Sequence, residues 1–216
     1  MQQQPPRYVV VEGPIGVGKT TLAKRLAQSF AAELILEQAD DNPFIKRFYQ
    51  DPKNTALPTQ MHFLLQRAKQ IQALRQSDLF ANCRVADFFL EKDRLFASLN
   101  LDRDELALYQ QVYDTLALDA PTPDLVIYLQ APVEVLLGRI KQRARDYEHT
   151  MSAEYLQRLA LAYTEYFYYY NASPLLIVNA AEINLAQGEA DYELLLKRIY
   201  QMQAGTHYFN PLPFQR

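Results

Sequence analysis

The residues with the clearest chemical meaning form a glycine-rich loop near the start of the chain. The segment GPIGVGKT begins at Gly13 and matches the pattern G-x-x-x-x-G-K-[ST]. Glycines let successive backbone N–H groups turn inward around a phosphate, and a following helix directs its positive end at the same place. In this pattern the lysine reaches the outer phosphates and the threonine hydroxyl binds Mg²⁺. The loop therefore predicts a site for ATP or GTP, formed by Gly13, Pro14, Ile15, Gly16, Val17, Gly18, Lys19, Thr20 and Thr21.

The elements around this loop are those that the motif requires. A strand-like run, YVVVE, occupies residues 8–12, and an amphipathic helix pattern covers 18–30. Four further strands are predicted at 33–37, 83–87, 124–130 and 175–178, with helices between them. The near-continuous apolar run DLVIYLQ at 124–130 is typical of a parallel strand buried on both faces. We therefore predict one domain over residues 1–216, with a three-layer α/β fold and a five-stranded parallel sheet.

Helices are predicted from apolar periodicity and from the positions of prolines. The strongest pattern covers 59–75, where apolar residues recur at helical spacing. Further helices are predicted at 44–49, ended by Pro52, and at 88–99, 103–119, 133–145, 153–170 and 192–203. The tail from residue 205 to residue 216 shows no period, and we predict no element there.

Composition excludes several classes of protein. A net charge of −3 argues against general nucleic-acid binding, which needs a basic surface. The single cysteine, Cys83, excludes an internal disulfide framework and fits a reducing compartment. No apolar run is long enough to span a membrane, and residues 1–6 (MQQQPP) are interpreted as a disordered lead-in, not a signal peptide. We therefore expect a cytoplasmic protein that binds neither nucleic acid nor membrane.

Two carboxylates end predicted strands beside the phosphate loop, at the sheet edge where ligands bind in such folds. Glu37 could act as a general base, orient a hydroxyl group, or be a solvated acid at a strand end. Asp87 could hold Mg²⁺ through water, act as the base, or cap the helix predicted to begin at residue 88. The residues by themselves leave these alternatives open.

Two sets of residues on predicted helices could contact a ligand. Arg139, Arg143 and Arg145 follow the fourth strand, where nucleotide kinases place a lid over the phosphates, although a solvated basic face is the alternative. Gln60 and Arg67 are seven residues apart and share a helix face. Their planar groups could read the edge of a base, although periodicity alone favours surface polar residues.

Five segments together resemble the deoxynucleoside kinases, especially their bacterial deoxyadenosine/deoxyguanosine kinase branch. They are EGPIGVGKTTLAKRLA, LEQADDNPFIKRFYQDP, TQMHFLLQR, VADFFLEKDRLFA and PDLVIYLQAPVEVLLGRIKQRARDYE. The resemblance implies a P-loop kinase fold with an arginine-bearing lid at about 139–152. It also implies ATP- and Mg²⁺-dependent phosphorylation of a deoxynucleoside, preferably a purine, at its 5′-hydroxyl for nucleotide salvage. Family members are commonly dimers, so we expect a homodimer.

The resemblance also implies roles for single residues. Glu37 matches a glutamate that contacts and deprotonates the 5′-hydroxyl, while Tyr49 and Glu148 match the pair that holds the 3′-hydroxyl. Five residues match the base-binding set: Gln60, the couple Arg67 and Asp93, and the apolar walls Phe44 and Phe96.

The chain departs from the family pattern directly after Asp87. This residue matches the acid of an acid-arginine-serine motif, but Phe88 and Phe89 follow it, so the arginine is absent. One anchor on the 5′-hydroxyl and phosphate is therefore missing. The expectation is that more of the positive charge comes from the lid arginines Arg139, Arg143 and Arg145.

Three other functions are also compatible with a phosphate loop. A nucleoside monophosphate kinase resembling thymidylate kinase would need further arginines near the third strand, where this chain has Phe88 and Phe89. A GTPase switch would need an N-K-x-D motif, and the nearest string, EKDR at 91–94, lacks the asparagine. A non-catalytic nucleotide-binding protein is the third alternative.

Overall fold

The computed structural model describes residues 5–76, 83–116, 120–181, 183 and 188–210. Within these residues, one parallel sheet has the order β2-β3-β1-β4-β5-β6. Its strands are β1 (Tyr8–Glu12), β2 (Glu33–Ile35), β3 (Arg84–Ala86), β4 (Leu125–Gln130), β5 (Leu175–Asn179) and β6 (Thr206–Phe209). This confirms the α/β fold with a parallel sheet.

The predicted count of five strands is wrong, because β6 adds a sixth strand to the described sheet. It lies in the tail where we predicted no element, and it pairs in parallel with β5. The four residues THYF are exposed or half-buried, so they carry no apolar run by which a strand could be recognised. Pairing with the neighbouring strand determines their conformation.

Eight α-helices are found in the described residues. They are α1 (Lys19–Ser29), α2 (Ile45–Gln50), α3 (Pro52–Gln76), α4 (Lys92–Asn100), α5 (Arg103–Thr115), α6 (Val133–Arg143), α7 (Ala153–Tyr168) and α8 (Glu189–Tyr200). None of these helices is both long and apolar enough to cross a lipid bilayer. Residues 117–119 of the helix predicted at 103–119, residues 1–4 of the lead-in and residues 211–216 of the tail lie outside the described residues.

Two helix starts differ most from the sequence prediction. Pro52 was predicted only to end the preceding helix, but α3 begins at this residue. A proline is tolerated in the first turn of a helix because the backbone N–H groups there make no hydrogen bond within the helix. The helix predicted from residue 88 begins at Lys92, because Phe88 and Phe89 are buried in the core instead. Phe89 makes edge-to-face contacts with rings of the segment that ends α7.

The sheet is covered on both faces, which gives the three layers. Val9 and Val11 of β1 face a core that includes residues of α1, α6 and α8. Val10 faces the opposite core, with α4 and α7. In that second core Tyr163 of α7 stacks on Tyr128 of β4, with ring centroids 6.1 Å apart. Burial on both faces is what parallel strands require.

Candidate active site

A cleft of about 900 Å³ contains most of the residues that the sequence singled out. It combines the phosphate loop with residues that follow β2 and β3 and with the segment after α6. The predicted residues that line it are Ile15, Gly16, Val17, Gly18, Lys19, Thr20, Thr21, Glu37, Tyr49, Gln60, Arg67, Asp87, Phe96, Arg139, Arg143, Arg145 and Glu148. Four predicted residues, Gly13, Pro14, Phe44 and Asp93, are not among those lining the cleft.

The phosphate loop is held between β4 and α6 at two glycines with left-handed backbone. Gly13 has φ +147°, and a Cβ there would lie 2.4 Å from the carbonyl oxygen of Leu129. Gly16 has φ +85°, and a Cβ there would lie 2.8 Å from the side chain of Ile140. Because no side chain fits at either contact, the loop packs directly on the strand and the helix.

Lys19 is the cation of this loop. Its Nζ donates to the carbonyl oxygens of Gly13, at 2.7 Å, and Pro14, at 3.2 Å, which is how these two residues contribute without lining the cleft. Burial and the nearby charge of Lys92 together lower the pKa of Lys19 to about 8, although Glu12, Glu37 and Asp87 act to raise it.

Asp87 connects the loop to the strand-end acid Glu37. Its Oδ2 accepts a hydrogen bond from the Thr20 hydroxyl at 2.5 Å, and its Oδ1 accepts one from the backbone N–H of Glu37 at 2.7 Å. The third alternative for Asp87, helix capping, is wrong because α4 begins at Lys92 and its N-cap residue is Glu91.

The Thr20 hydroxyl and the Asp87 carboxylate also fit Mg²⁺. Both are hard oxygen ligands at the cleft, and they lie within hydrogen-bonding distance of each other. No group of three or more His, Cys, Asp or Glu side chains suited to a metal occurs in the described part of the chain. Mg²⁺ does not need such a cage, since it usually takes one or two protein ligands together with waters and substrate phosphates.

Glu37 is held between two cations. Arg67 donates to its Oε1, and the Lys92 Nζ lies 2.8 Å from its Oε2. Burial acts to raise the pKa of Glu37, but Lys92 and Arg67 outweigh burial and hold the pKa well below its usual range. The other end of the Arg67 guanidinium donates to Asp93. Asp93 is therefore behind Arg67, completely buried, and contributes to the cleft through that ion pair.

The network contains two further charged residues, Glu12 and Lys92, to which the sequence analysis assigned no role. Lys92 reaches Glu37 and also lies 3.6 Å from the carboxylate of Glu12. Glu12 is fully buried at the end of β1, where it accepts hydrogen bonds from the Gly13 N–H and the Tyr163 hydroxyl, both at 2.8 Å. The signal in the sequence for Lys92 was the charged run EKDR at 91–94, which lies between the apolar stretches FFL and LFA.

The part of the cleft away from the loop is built by α2, α3 and α4. Gln60 is 3% exposed, and its side-chain amide makes no hydrogen bond to the rest of the described chain. Phe96 lines this region as predicted, together with Ile45, Phe48 and Phe63. Phe44 instead packs edge-to-face on His62, with centroids 6.5 Å apart, so neighbouring residues of the same segment provide the apolar wall.

The predicted lid comprises the end of α6 and a short 3-10 helix, Asp146–Thr150, before α7. Arg143 makes a two-point ion pair with Glu148, and Arg145 lies 3.1 Å from the Asp40 carboxylate. Arg139 donates to the backbone carbonyls of Val17 and Ala180, at 3.0 Å and 2.7 Å. The three arginines therefore line the cleft from one side while contacting three different parts of the chain.

Tyr49 and Glu148, the predicted pair for a sugar hydroxyl, both line the cleft near this lid. Burial raises the pKa of the Tyr49 hydroxyl, with further contributions from Tyr155 and the Glu148 charge. The Tyr49 ring also stacks on Tyr147, with centroids 5.5 Å apart. The lid thus rests on α2 through an aromatic contact.

Comparison with known proteins identifies the family. The family model described as deoxynucleoside kinase matches residues 9–203, which is most of the chain. The chain belongs to the deoxynucleoside kinase family. The family resemblance inferred from the five sequence segments is thereby confirmed, and the chain is an enzyme, a phosphotransferase.

Several known proteins are similar to this deoxynucleoside kinase. It is 36% identical over 159 residues to the deoxyguanosine kinase of Bacillus subtilis (strain 168), covering 72% of this chain and 76% of that protein. It is 28% identical over 199 residues to the deoxyadenosine/deoxycytidine kinase of the same organism, covering 88% and 90%. It also resembles the structure of deoxyadenosine kinase from M. mycoides with bound dCTP, with a TM-score of 0.76 and 25% identity, covering 90% of this chain and 99% of that one.

Family membership also resolves two of the alternatives. A GTPase switch and a non-catalytic nucleotide-binding protein are both excluded for a deoxynucleoside kinase. The α/β fold with its parallel sheet matches that of the deoxyadenosine kinase structure.

Proposed function

We propose that this kinase transfers the γ-phosphoryl group of ATP to the 5′-hydroxyl of a deoxynucleoside, preferably a purine, in nucleotide salvage. The observation that carries this proposal is the position of Asp87. Its two oxygens contact Thr20 of the phosphate loop and the backbone of Glu37. ATP bound to the loop and a nucleoside 5′-hydroxyl bound at Glu37 would therefore both lie next to the Asp87 carboxylate.

On the donor side, the loop backbone and Lys19 would bind the phosphates of ATP, and Thr20 and Asp87 would hold Mg²⁺. When bound, Mg²⁺ neutralises charge on the phosphates. The transition state of phosphoryl transfer is loose and its charge is spread over the phosphoryl oxygens, so positioning and charge neutralisation provide most of the catalysis. Arg139, Arg143 and Arg145 would add positive charge from the lid side.

On the acceptor side, Glu37 would accept a hydrogen bond from the 5′-hydroxyl and take its proton. The two cations that contact Glu37 keep its carboxylate ionised, and they also make it a weak base. This suits a loose transition state, in which the attacking hydroxyl keeps its proton until late in the reaction. Glu37 would then contribute more by orienting the hydroxyl than by removing its proton.

Residues farther from the loop would select the nucleoside. Tyr49 and Glu148 would hold the 3′-hydroxyl, and Phe96 would contact the base. The buried Gln60 amide, without a partner in the described residues, would hydrogen-bond the base, and Arg67 with Asp93 would present donors and an acceptor beside it. The purine preference is supported by the names of relatives, among them a deoxyguanosine kinase.

The test is ADP release in the presence of ATP, Mg²⁺ and single acceptors. Deoxyadenosine, deoxyguanosine, deoxycytidine and thymidine are compared with thymidine monophosphate, which tests the monophosphate kinase alternative. We expect the highest kcat/KM with a purine deoxynucleoside and no turnover of the monophosphate. Preference for deoxycytidine or thymidine would contradict the choice of base, and turnover of the monophosphate alone would contradict the proposed acceptor.

We further propose that residues 1–216 form a single kinase domain that works as a cytoplasmic homodimer and binds no nucleic acid. The family match over residues 9–203 supports the single domain, and the net charge of −3 supports the absence of nucleic acid binding. The dimer is supported by the family resemblance. The test is light scattering at micromolar concentration, where the mass of a monomer would contradict the dimer.

A further inference from the structure

Lys92 occupies an unusual position for a lysine. It is the first residue of α4, and only 5% of its side chain is exposed. The start of a helix carries partial positive charge, so a buried cation there is unfavourable unless anions compensate it. Two anions do so: Glu37, whose Oε2 lies 2.8 Å from the Lys92 Nζ, and Glu12, whose Oε1 lies 3.6 Å away.

We propose that Lys92 is a positioning residue for phosphoryl transfer, which provides the cation that the acid-arginine-serine motif lacks in this chain. It holds Oε2 of the Glu37 carboxylate, whereas Arg67 holds Oε1. The inference rests on the proposed function, because it assigns Lys92 to the reaction at Glu37.

The local fold explains why a residue five positions after Asp87 can reach this place. Phe88 and Phe89 are buried in the core, so the chain does not become helical until residue 92. Lys92 and Asp93 then stand together on the first turn of α4. Lys92 contacts Glu37, and Asp93 contacts Arg67, which is the other cation bound to Glu37. The stem of Lys92 places its Nζ 5.6 Å from the ring centroid of Phe96, one turn farther along the helix.

Lys92 is charged in this environment. Burial acts to lower the pKa of Lys92, but Glu12 and Glu37 outweigh burial and raise it above its ordinary value. The same charge acts on the donor side, since Lys92 is the largest influence after burial that lowers the pKa of Lys19. A single buried cation therefore lies beside both the loop lysine and the strand-end acid.

A purely structural role is the competing explanation, since Lys92 also neutralises buried Glu12. The variants that separate the two are Lys92→Met, Glu12→Gln and the double variant Lys92→Met/Glu12→Gln. Removing both charges leaves no unpaired carboxylate at position 12, so the double variant should regain the melting temperature that Lys92→Met loses. Its kcat should nevertheless remain about 10- to 100-fold below that of Glu12→Gln, as expected for loss of a hydrogen bond between charged groups. A double variant that turns over like Glu12→Gln would overturn the inference.

A second cycle tests whether Lys92 acts through Glu37. In a Glu37→Gln background, Lys92→Met should lower kcat by less than about 3-fold, because coupled residues are not additive. A loss as large as in the wild-type background would overturn the inference. Lys92→Arg keeps the charge and should recover part of the turnover; a folded Lys92→Arg as impaired as Lys92→Met would contradict a role for the charge.

The proposed function and the role of Lys92 fail in distinguishable ways. If the wild-type enzyme releases no ADP in response to nucleosides, the proposed function is overturned as well. If the wild type is active and the double variant turns over like Glu12→Gln, only the role of Lys92 is overturned.

Discussion

Arg143 of the lid makes a two-point ion pair with Glu148. Its Nε lies 3.1 Å from Oε2 of Glu148, and its Nη2 lies 2.5 Å from Oε1. Glu148 is almost completely buried, whereas 40% of the Arg143 side chain is exposed. The pair joins an arginine proposed to face the phosphates to an acid proposed to bind the sugar. Occupation of the sugar site can therefore influence where the lid arginine points.

Glu148→Gln should lower kcat/KM for deoxyguanosine by about 10-fold, since the hydrogen bond from the 3′-hydroxyl would go to a neutral amide in place of a charged carboxylate. The matched control is 2′,3′-dideoxyguanosine, which has no 3′-hydroxyl to lose. Its kcat/KM should change much less in the same variant. Equal losses on both nucleosides would mean that Glu148 acts through Arg143 or the lid and not through the sugar.

Glu37→Gln should lower kcat by roughly 10²- to 10⁴-fold if the carboxylate takes the proton of the 5′-hydroxyl. The measurement is steady-state turnover with saturating ATP and nucleoside, with melting temperature recorded as a check on folding. Asp87→Asn is the companion variant, since Asp87 is the other carboxylate at the junction. Near-normal turnover of Glu37→Gln would mean that Asp87, and not Glu37, accepts the proton of the 5′-hydroxyl.

Donor binding should weaken as pH rises through about 8, the pKa to which Lys19 is lowered by burial and by Lys92. Protonated Lys19 attracts phosphate, and above this pH a growing fraction of the free enzyme carries a neutral amine. Glu12, Glu37 and Asp87 act in the opposite direction and limit the shift. The observable is kcat/KM for ATP as a function of pH.

Two variants control that experiment. Lys92→Met removes the charge that repels Lys19, so the fall in kcat/KM should move to higher pH. Lys19→Arg carries a charge that does not titrate in this range, so its remaining activity should show no such fall. A wild-type profile that stays flat well above pH 8 would contradict the assignment to Lys19.

Gly16→Ala should impair both stability and ATP binding. A Cβ at this position would lie 2.8 Å from Ile140 and 2.9 Å from the Leu136 carbonyl, in addition to the strain of φ +85°. We expect a loss of about 1–3 kcal/mol in the free energy of unfolding, and a higher Kd for ATP because the loop shifts away from α6. Chemical denaturation and ATP titration measure the two effects.

Gly205→Ala is the matched control, since Gly205 also has positive φ but a Cβ there would meet no atom within 4 Å. It carries the backbone strain without the steric contact and lies outside the cleft. It should cost about 1 kcal/mol of stability and leave ATP affinity unchanged. Similar ATP affinities in the two variants would show that the packing of Gly16 on α6 is not needed for donor binding.

Short-range sequence patterns were enough to identify the family and to locate the phosphate loop. The loop needs a strand, particular glycines, a lysine and a helix in immediate succession, so all of its parts lie within residues 8–30. Alternation of apolar strands with helices predicts a parallel sheet for the same local reason. The length of α3 and the start of α4 were less predictable, because they depend on what Pro52 and Phe88 contact in the folded chain.

The sequence by itself determined the nucleotide loop, the α/β layers and the identities of most residues around the cleft, because each follows from local spacing or motif. The family resemblance already implied the couple of Arg67 and Asp93, but only the tertiary structure decided how Glu12, Glu37 and Lys92 pair. Glu12, Glu37, Arg67 and Lys92 come from four separate segments that meet at the edge of the sheet. Electrostatic energy depends on distances of a few ångströms between such residues, and no one-dimensional spacing encodes those distances.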